Sequence, residues 1–173
     1  MKTLPLSHPF LSTLAGVVLG LFSTAAFAAD DKLSSSEKSF IKEAYESGLT
    51  EIAAGKLGQE KAVNADVKSF AQMMVTDHEK ANTELKAIAD AKGVKLDFDA
   101  KAKTRALDSK SAADFDKAFA KQMVKDHEKA VKDFEKASKD VKDAQLKTFV
   151  DQTLPKLREH LTHAQGLEAK VGK

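Results

Sequence analysis

Two stretches of this chain carry almost the same residues. Phe70-Ala-Gln-Met-Met-Val-Thr-Asp-His78-Glu-Lys-Ala81 is echoed by Phe119-Ala-Lys-Gln-Met-Val-Lys-Asp-His127-Glu-Lys-Ala130, with nine of twelve positions identical. In each copy the histidine falls on the apolar side of a helical repeat, where water-seeking side chains are unusual. A third histidine, His160, falls on or beside the apolar seam of the last predicted helix. Three inward imidazoles from three helices suit a transition metal such as Zn, Fe, Mn or Cu, and an acid from a fourth helix would complete a sensible ligand set. Glu51 is the acid at a matching level. His78, Glu51, His127 and His160 lie about 12 to 17 residues from their flanking turns, a spread of under two helical turns at about 1.5 Å per residue.

The alternative is a buried polar network in which each ring bonds a neighbour, a carboxylate or water. Glu51 sits to one side of the Ile41-Tyr45-Ile52 stripe, among Ala44, Gly48, Gly55 and Gly58. Those small residues admit a close neighbour, yet the wheel fits Glu51 at the rim slightly better than inside. Asp77, Glu79, Asp126 and Glu128 adjoin the histidines and read as solvated surface, while His163 is off the seam and stands only as a reserve ligand. Met73, Met74 and Met123 read as core filler rather than copper ligands. A di-iron carboxylate centre needs Glu three residues before His on two helices. Those positions hold Val75, Val124 and Leu157. No catalytic residue, organic cofactor, substrate or reaction can be named, and the pattern points away from an enzyme.

Four helices must position these residues. Ser34 and Glu37 are spaced as a capping box for a helix from about Ser36 to Val63. Asn64 caps a second helix that ends before Gly93. Ser111 with Asp114 opens a third, running to about Lys139, and the fourth spans about Asp143 to Val171. The second has the cleanest seam: Val67, Ala71, Met74, His78, Ala81, Leu85 and Ile88. The third offers Phe115, Phe119, Met123, His127, Ala130, Phe134 and Ala137. The fourth offers Leu146, Val150, Thr153, Leu157, His160 or Leu161, Ala164 and Leu167, with a kink or restart expected at Pro155. Such stripes bury one another most simply as an all-α, up-down four-helix bundle over residues 36–171. Residues 94–110, if extended, reach about 56–61 Å, more than the roughly 40 Å of a 27-residue helix. They are long enough for a crossover that sets the second and third helices parallel, although a loose hairpin would also fit.

The N-terminus sets the expected compartment. Lys2, an apolar run from Phe10 to Phe22 and the A-x-A site Ala26-Phe27-Ala28 read as a signal peptide over residues 1–28. A flexible segment over 29–35 follows. The expected destination is the periplasm, with no membrane span once the leader is removed. Cysteine is absent, which excludes a disulfide framework and a lipid anchor on Cys. Arg105 and Arg158 are the only arginines, and charge of both signs is interspersed. No basic stripe marks a nucleic-acid binder. No protein partner can be named, and a homo-oligomer is compatible with these features.

With those residues in view, the mature chain resembles the bacterial envelope family called domain of unknown function 4142, of the ferritin-like superfamily. The matching stretches are Phe40-Ile-Lys-Glu-Ala with Gly48-Leu-Thr-Glu51-Ile, Val67 to His78, and Asp114-Phe-Asp-Lys-Ala-Phe leading to Gln122-Met-Val-Lys-Asp-His127-Glu. Thr153-Leu-Pro155 with Glu159-His160-Leu completes them. The resemblance implies an exported four-helix bundle and no established reaction. Two roles follow as expectations: a metal-binding bundle using Glu51, His78, His127 and His160, or a non-catalytic envelope stress or interaction protein with a structural histidine network.

Overall fold

A computed structural model describes residues 32–98 and 101–172. The described residues are all-helical: α1 (Ser35–Lys61), α2 (Ala65–Ala91), α3 (Lys101–Asp108), α4 (Ala112–Asp140) and α5 (Ala144–Val171). The leader and its cleavage site lie outside the described residues. Among those described, no helix is long and apolar enough to cross a membrane.

Local capping chemistry sets the helix limits. Ser34 and Glu37 form the capping box of α1. Asn64 accepts from the N–H of Asp66 and Val67 to start α2, Ser111 accepts from Asp114 to start α4, and Asp143 accepts from Leu146 to start α5. Each oxygen satisfies a donor that has no partner inside its helix. Gly93, at φ 67°, ends α2 in the left-handed conformation that glycine adopts without a Cβ penalty. Of the kink or restart expected at Pro155, the restart is absent: α5 runs unbroken through it. The proline lies on the exposed face.

Helix α1 packs chiefly on α2 and α4 chiefly on α5, with further contact between α2 and α5 and between α1 and α4. The core falls into two apolar clusters. One gathers Ile41, Leu85, Ile88, Phe134, Leu146 and Val150. The other gathers Val67, Met74, Phe115, Phe119, Met123 and Leu167. Met74 and Met123 are fully buried in this second cluster, as filler should be. The seams agree with the spacing at most positions. Where they differ, Asn82 rather than Ala81, and Leu154 rather than Thr153, are the buried residues.

Carboxylates tie the helix ends together. Glu37 accepts the backbone N–H of Lys142 and Asp143 at 2.8 and 3.0 Å, joining the start of α1 to the α4–α5 turn. Lys92, just after α2, pairs with Asp143 at 2.8 Å in a nearly buried setting. At the other end Asp116 accepts the N–H of Val63 and Asn64 at 3.2 and 2.8 Å, joining the start of α4 to the α1–α2 turn. The connection from α2 to α4 leaves the first cluster through Val94 and Leu96 and enters the second through Leu107. Part of it is helical, as α3, so the segment spans less than its fully extended reach. Thr104 and Leu107 face inward there, and Lys61 bonds Asp108 at its end.

Candidate metal centre

Between the two apolar clusters lies a polar layer. His78 from α2, His127 from α4 and His160 from α5 are 9, 1 and 2% exposed. Their ring centroids stand 5.4 to 5.6 Å apart. One ring nitrogen from each lies within 4.8 Å of those of the other two. The convergence expected from three separate seams is therefore present.

The second nitrogens explain how two of the rings are oriented. His127 Nδ1 lies 2.9 Å from the Met123 carbonyl, an acceptor one turn earlier on its own helix, so that nitrogen carries the proton and Nε2 offers a lone pair. His160 Nε2 lies 2.9 Å from Asp77 Oδ2, which leaves its Nδ1 as the free nitrogen. His78 Nε2, His127 Nε2 and His160 Nδ1 are all buried without a protein hydrogen-bond partner. A carbonyl or carboxylate behind the imidazole is the usual outer support of a metal-bound histidine, fixing its tautomer and raising its basicity.

The electrostatics keep these rings neutral. Burial, then repulsion from His127 and His160, pushes the His78 pKa far down. Burial and His160 lower that of His127 to about 4, against the opposing Met123 bond. Burial also lowers His160, although Asp77 pulls the other way. Neutral imidazole is the form that binds a metal.

Glu51 is buried, at 3% exposure, which corrects the expected rim position. Gly48, one turn before it, makes room: a Cβ there would lie 2.0 Å from Asn82 Oδ1. Asn82 in turn donates to the Tyr45 carbonyl at 3.0 Å, fixing α1 against α2. Glu51 Oε2 has no protein hydrogen-bond partner. Burial, then the adjacent Asp126 carboxyl, pushes the Glu51 pKa well above the ordinary range. Glu51 borders the same small cavity as His78 and His127 but is not among the three groups whose ligand atoms lie within 4.8 Å.

Two aspartates assigned to solvated surface belong to the layer instead. Asp77 holds His160 and Asp126 faces Glu51. Glu79 and Glu128 are exposed, as is His163, which lies edge-on to Phe70 and is not one of the three clustered histidines.

The class is thus an all-α protein with a buried cluster of three histidines between two apolar cores. The family model described as "Domain of unknown function (DUF4142)" matches residues 22–167; the chain belongs to this family. No curated protein and no solved structure matches it.

Proposed function

We propose that this protein is an exported, ferritin-like four-helix bundle that binds one transition metal ion through His78, His127 and His160, with Glu51 as a fourth ligand. The observation that carries the reading is the trio of buried imidazole nitrogens without protein partners, two of them on rings whose other nitrogen is already hydrogen-bonded. A structural network closed by protein groups alone would pair its buried nitrogens with one another or with carboxylates, because each one left unpaired costs about 1–3 kcal/mol. The spacing suits an ion after modest closure. Nitrogens about 2.0–2.1 Å from a tetrahedral ion stand about 3.3 Å apart, so a separation of up to 4.8 Å asks for a shift of about 1.5 Å at most. Imidazole and carboxylate together favour Zn, Fe, Mn or Cu.

The bundle reading rests on the helix pairings, on the joined ends and on a connection that touches both core clusters. One long crossover joining parallel second and third long helices is the ferritin-like form. The export reading is supported by the leader pattern, for which the periplasm is the matching destination.

Elemental analysis of protein purified without a histidine tag tests the metal directly, with about one ion per chain expected. In His127→Ala the bound metal should be lost and affinity should fall more than about 100-fold, beyond the range seen when an outer partner is removed. The unaltered protein should also melt higher when metal is added, because a ligand that binds the native state alone stabilises it by mass action. A variant equally destabilised with and without metal would identify a structural network instead.

A further inference from the structure

This inference deepens the metal-binding reading and rests on it. We propose that the groove between α1 and α4 is the port through which a divalent cation reaches the histidine centre, and that Glu51 and Asp126 hand it inward. The groove encloses about 370 Å³ and is lined by Glu43, Glu46, Ser47, Glu51, Asp126 and Asp133, with Lys129 among them. A smaller cavity of about 40 Å³ lies deeper, bordered by His78 and His127 and again by Ser47, Glu51 and Asp126. Six residues belong to both spaces, Ser47, Glu51 and Asp126 among them, so the groove and the centre adjoin across Glu51. Its unpartnered Oε2, on a side chain almost wholly buried, marks the point where a cation would be received.

Charge distinguishes this side from the opposite one. Outside Glu51 the groove carries four carboxylates and one ammonium, and that ammonium is already bound to Asp133 at 2.5 Å. The cavity between α2 and α5, of about 140 Å³, balances Asp77 and Glu84 against Lys80 and Lys156. Asp77 there already holds His160. A cleft lined with one sign of charge and walled by protein concentrates counter-ions and speeds their arrival. Carboxylate oxygens are also suitable first partners for a hydrated divalent ion, replacing its waters before the imidazoles take over.

The test follows binding and release of Co(II) by its visible absorption in stopped flow, with the untagged full chain. Ser47→Trp places a bulky ring at an exposed position bordering both spaces. A blocked path slows entry and exit by the same factor and leaves the affinity unchanged, because a path does not enter the equilibrium. Both rates should fall about tenfold or more. Glu43→Gln with Glu46→Gln and Asp133→Asn should slow association about tenfold at low salt, and Glu84→Gln on the opposite side should change nothing. Ser47→Trp at unaltered rates overturns the port whatever the charge variants do, and so does slowing by Glu84→Gln alone. Absence of Co(II) binding in the unaltered protein overturns the metal reading and the port together, whereas binding with insensitive kinetics overturns the port alone.

Discussion

Helix α1 carries two buried glutamates, Glu37 near its start and Glu51 fourteen residues on, and they meet opposite surroundings. Glu37 accepts from the Ser34 hydroxyl and from the backbone N–H of Ser34, Lys142 and Asp143. Burial pushes its pKa up, but these bonds together outweigh burial and hold it at about 2. Glu51 has an unpartnered oxygen and faces another acid, so burial and charge both drive its pKa up. Burial alone therefore says little about a carboxylate's role. A group whose hydrogen-bonding capacity is met by the fold holds the fold together; one left short is open to something from outside.

The strongest break of this contrast is Glu37→Ala. It strips the acceptor from three backbone N–H groups at two helix junctions, and the expected loss is about 2–3 kcal/mol, read by urea denaturation and equal with and without metal. The pH dependence has a definite sign. A carboxyl at about 2 when folded and near 4.5 when unfolded adds stability above about pH 4.5, and that stability is lost as pH falls toward 2. The gap between the wild type and Glu37→Ala should narrow through that window. A constant gap would mean that the hydrogen bonds do not depend on the ionised form.

A weaker effect is expected from Asp77→Asn in the layer, which keeps an acceptor for His160 but removes its charge. Metal affinity should fall about 10–100-fold, with little change in the stability of the metal-free protein. An unchanged titration would remove Asp77 from the support of the centre. The smallest effect belongs to Glu51→Gln. Removing a carboxyl whose ionisation is disfavoured by burial and by Asp126 should leave the metal-free protein equally stable or about 1 kcal/mol more stable, as thermal melting would register. A marked destabilisation would show that Glu51 is satisfied like Glu37, and the contrast would collapse.

How far the sequence announced all this depends on the range of the forces involved. Helix starts at Ser34, Asn64, Ser111 and Asp143 were legible because a cap and its donors lie within three residues. The inward set of the three histidines was legible because each helix repeats its own seam. The part played by Asp77 was hidden because its partner is 83 residues away and the contact depends on how α5 is rotated. Glu51 was misplaced for a similar reason, since its burial depends on how closely α2 approaches Gly48. Helix α3 escaped notice because its eight residues are too few to show a sustained repeat: Thr104 and Leu107, both inward, make a single three-residue step.

The packing of α1 chiefly on α2, and of α4 chiefly on α5, has a kinetic consequence. Glu51 and His78 belong to the first pair, His127 and His160 to the second. An ion held by all four would rivet the pairs across their weaker seam, as a cross-link that forms only once both are in place. It would act after the main folding barrier and slow dissociation of the pairs more than it hastens their docking. Loading and stripping the ion would then switch the same chain between a long-lived and a short-lived fold.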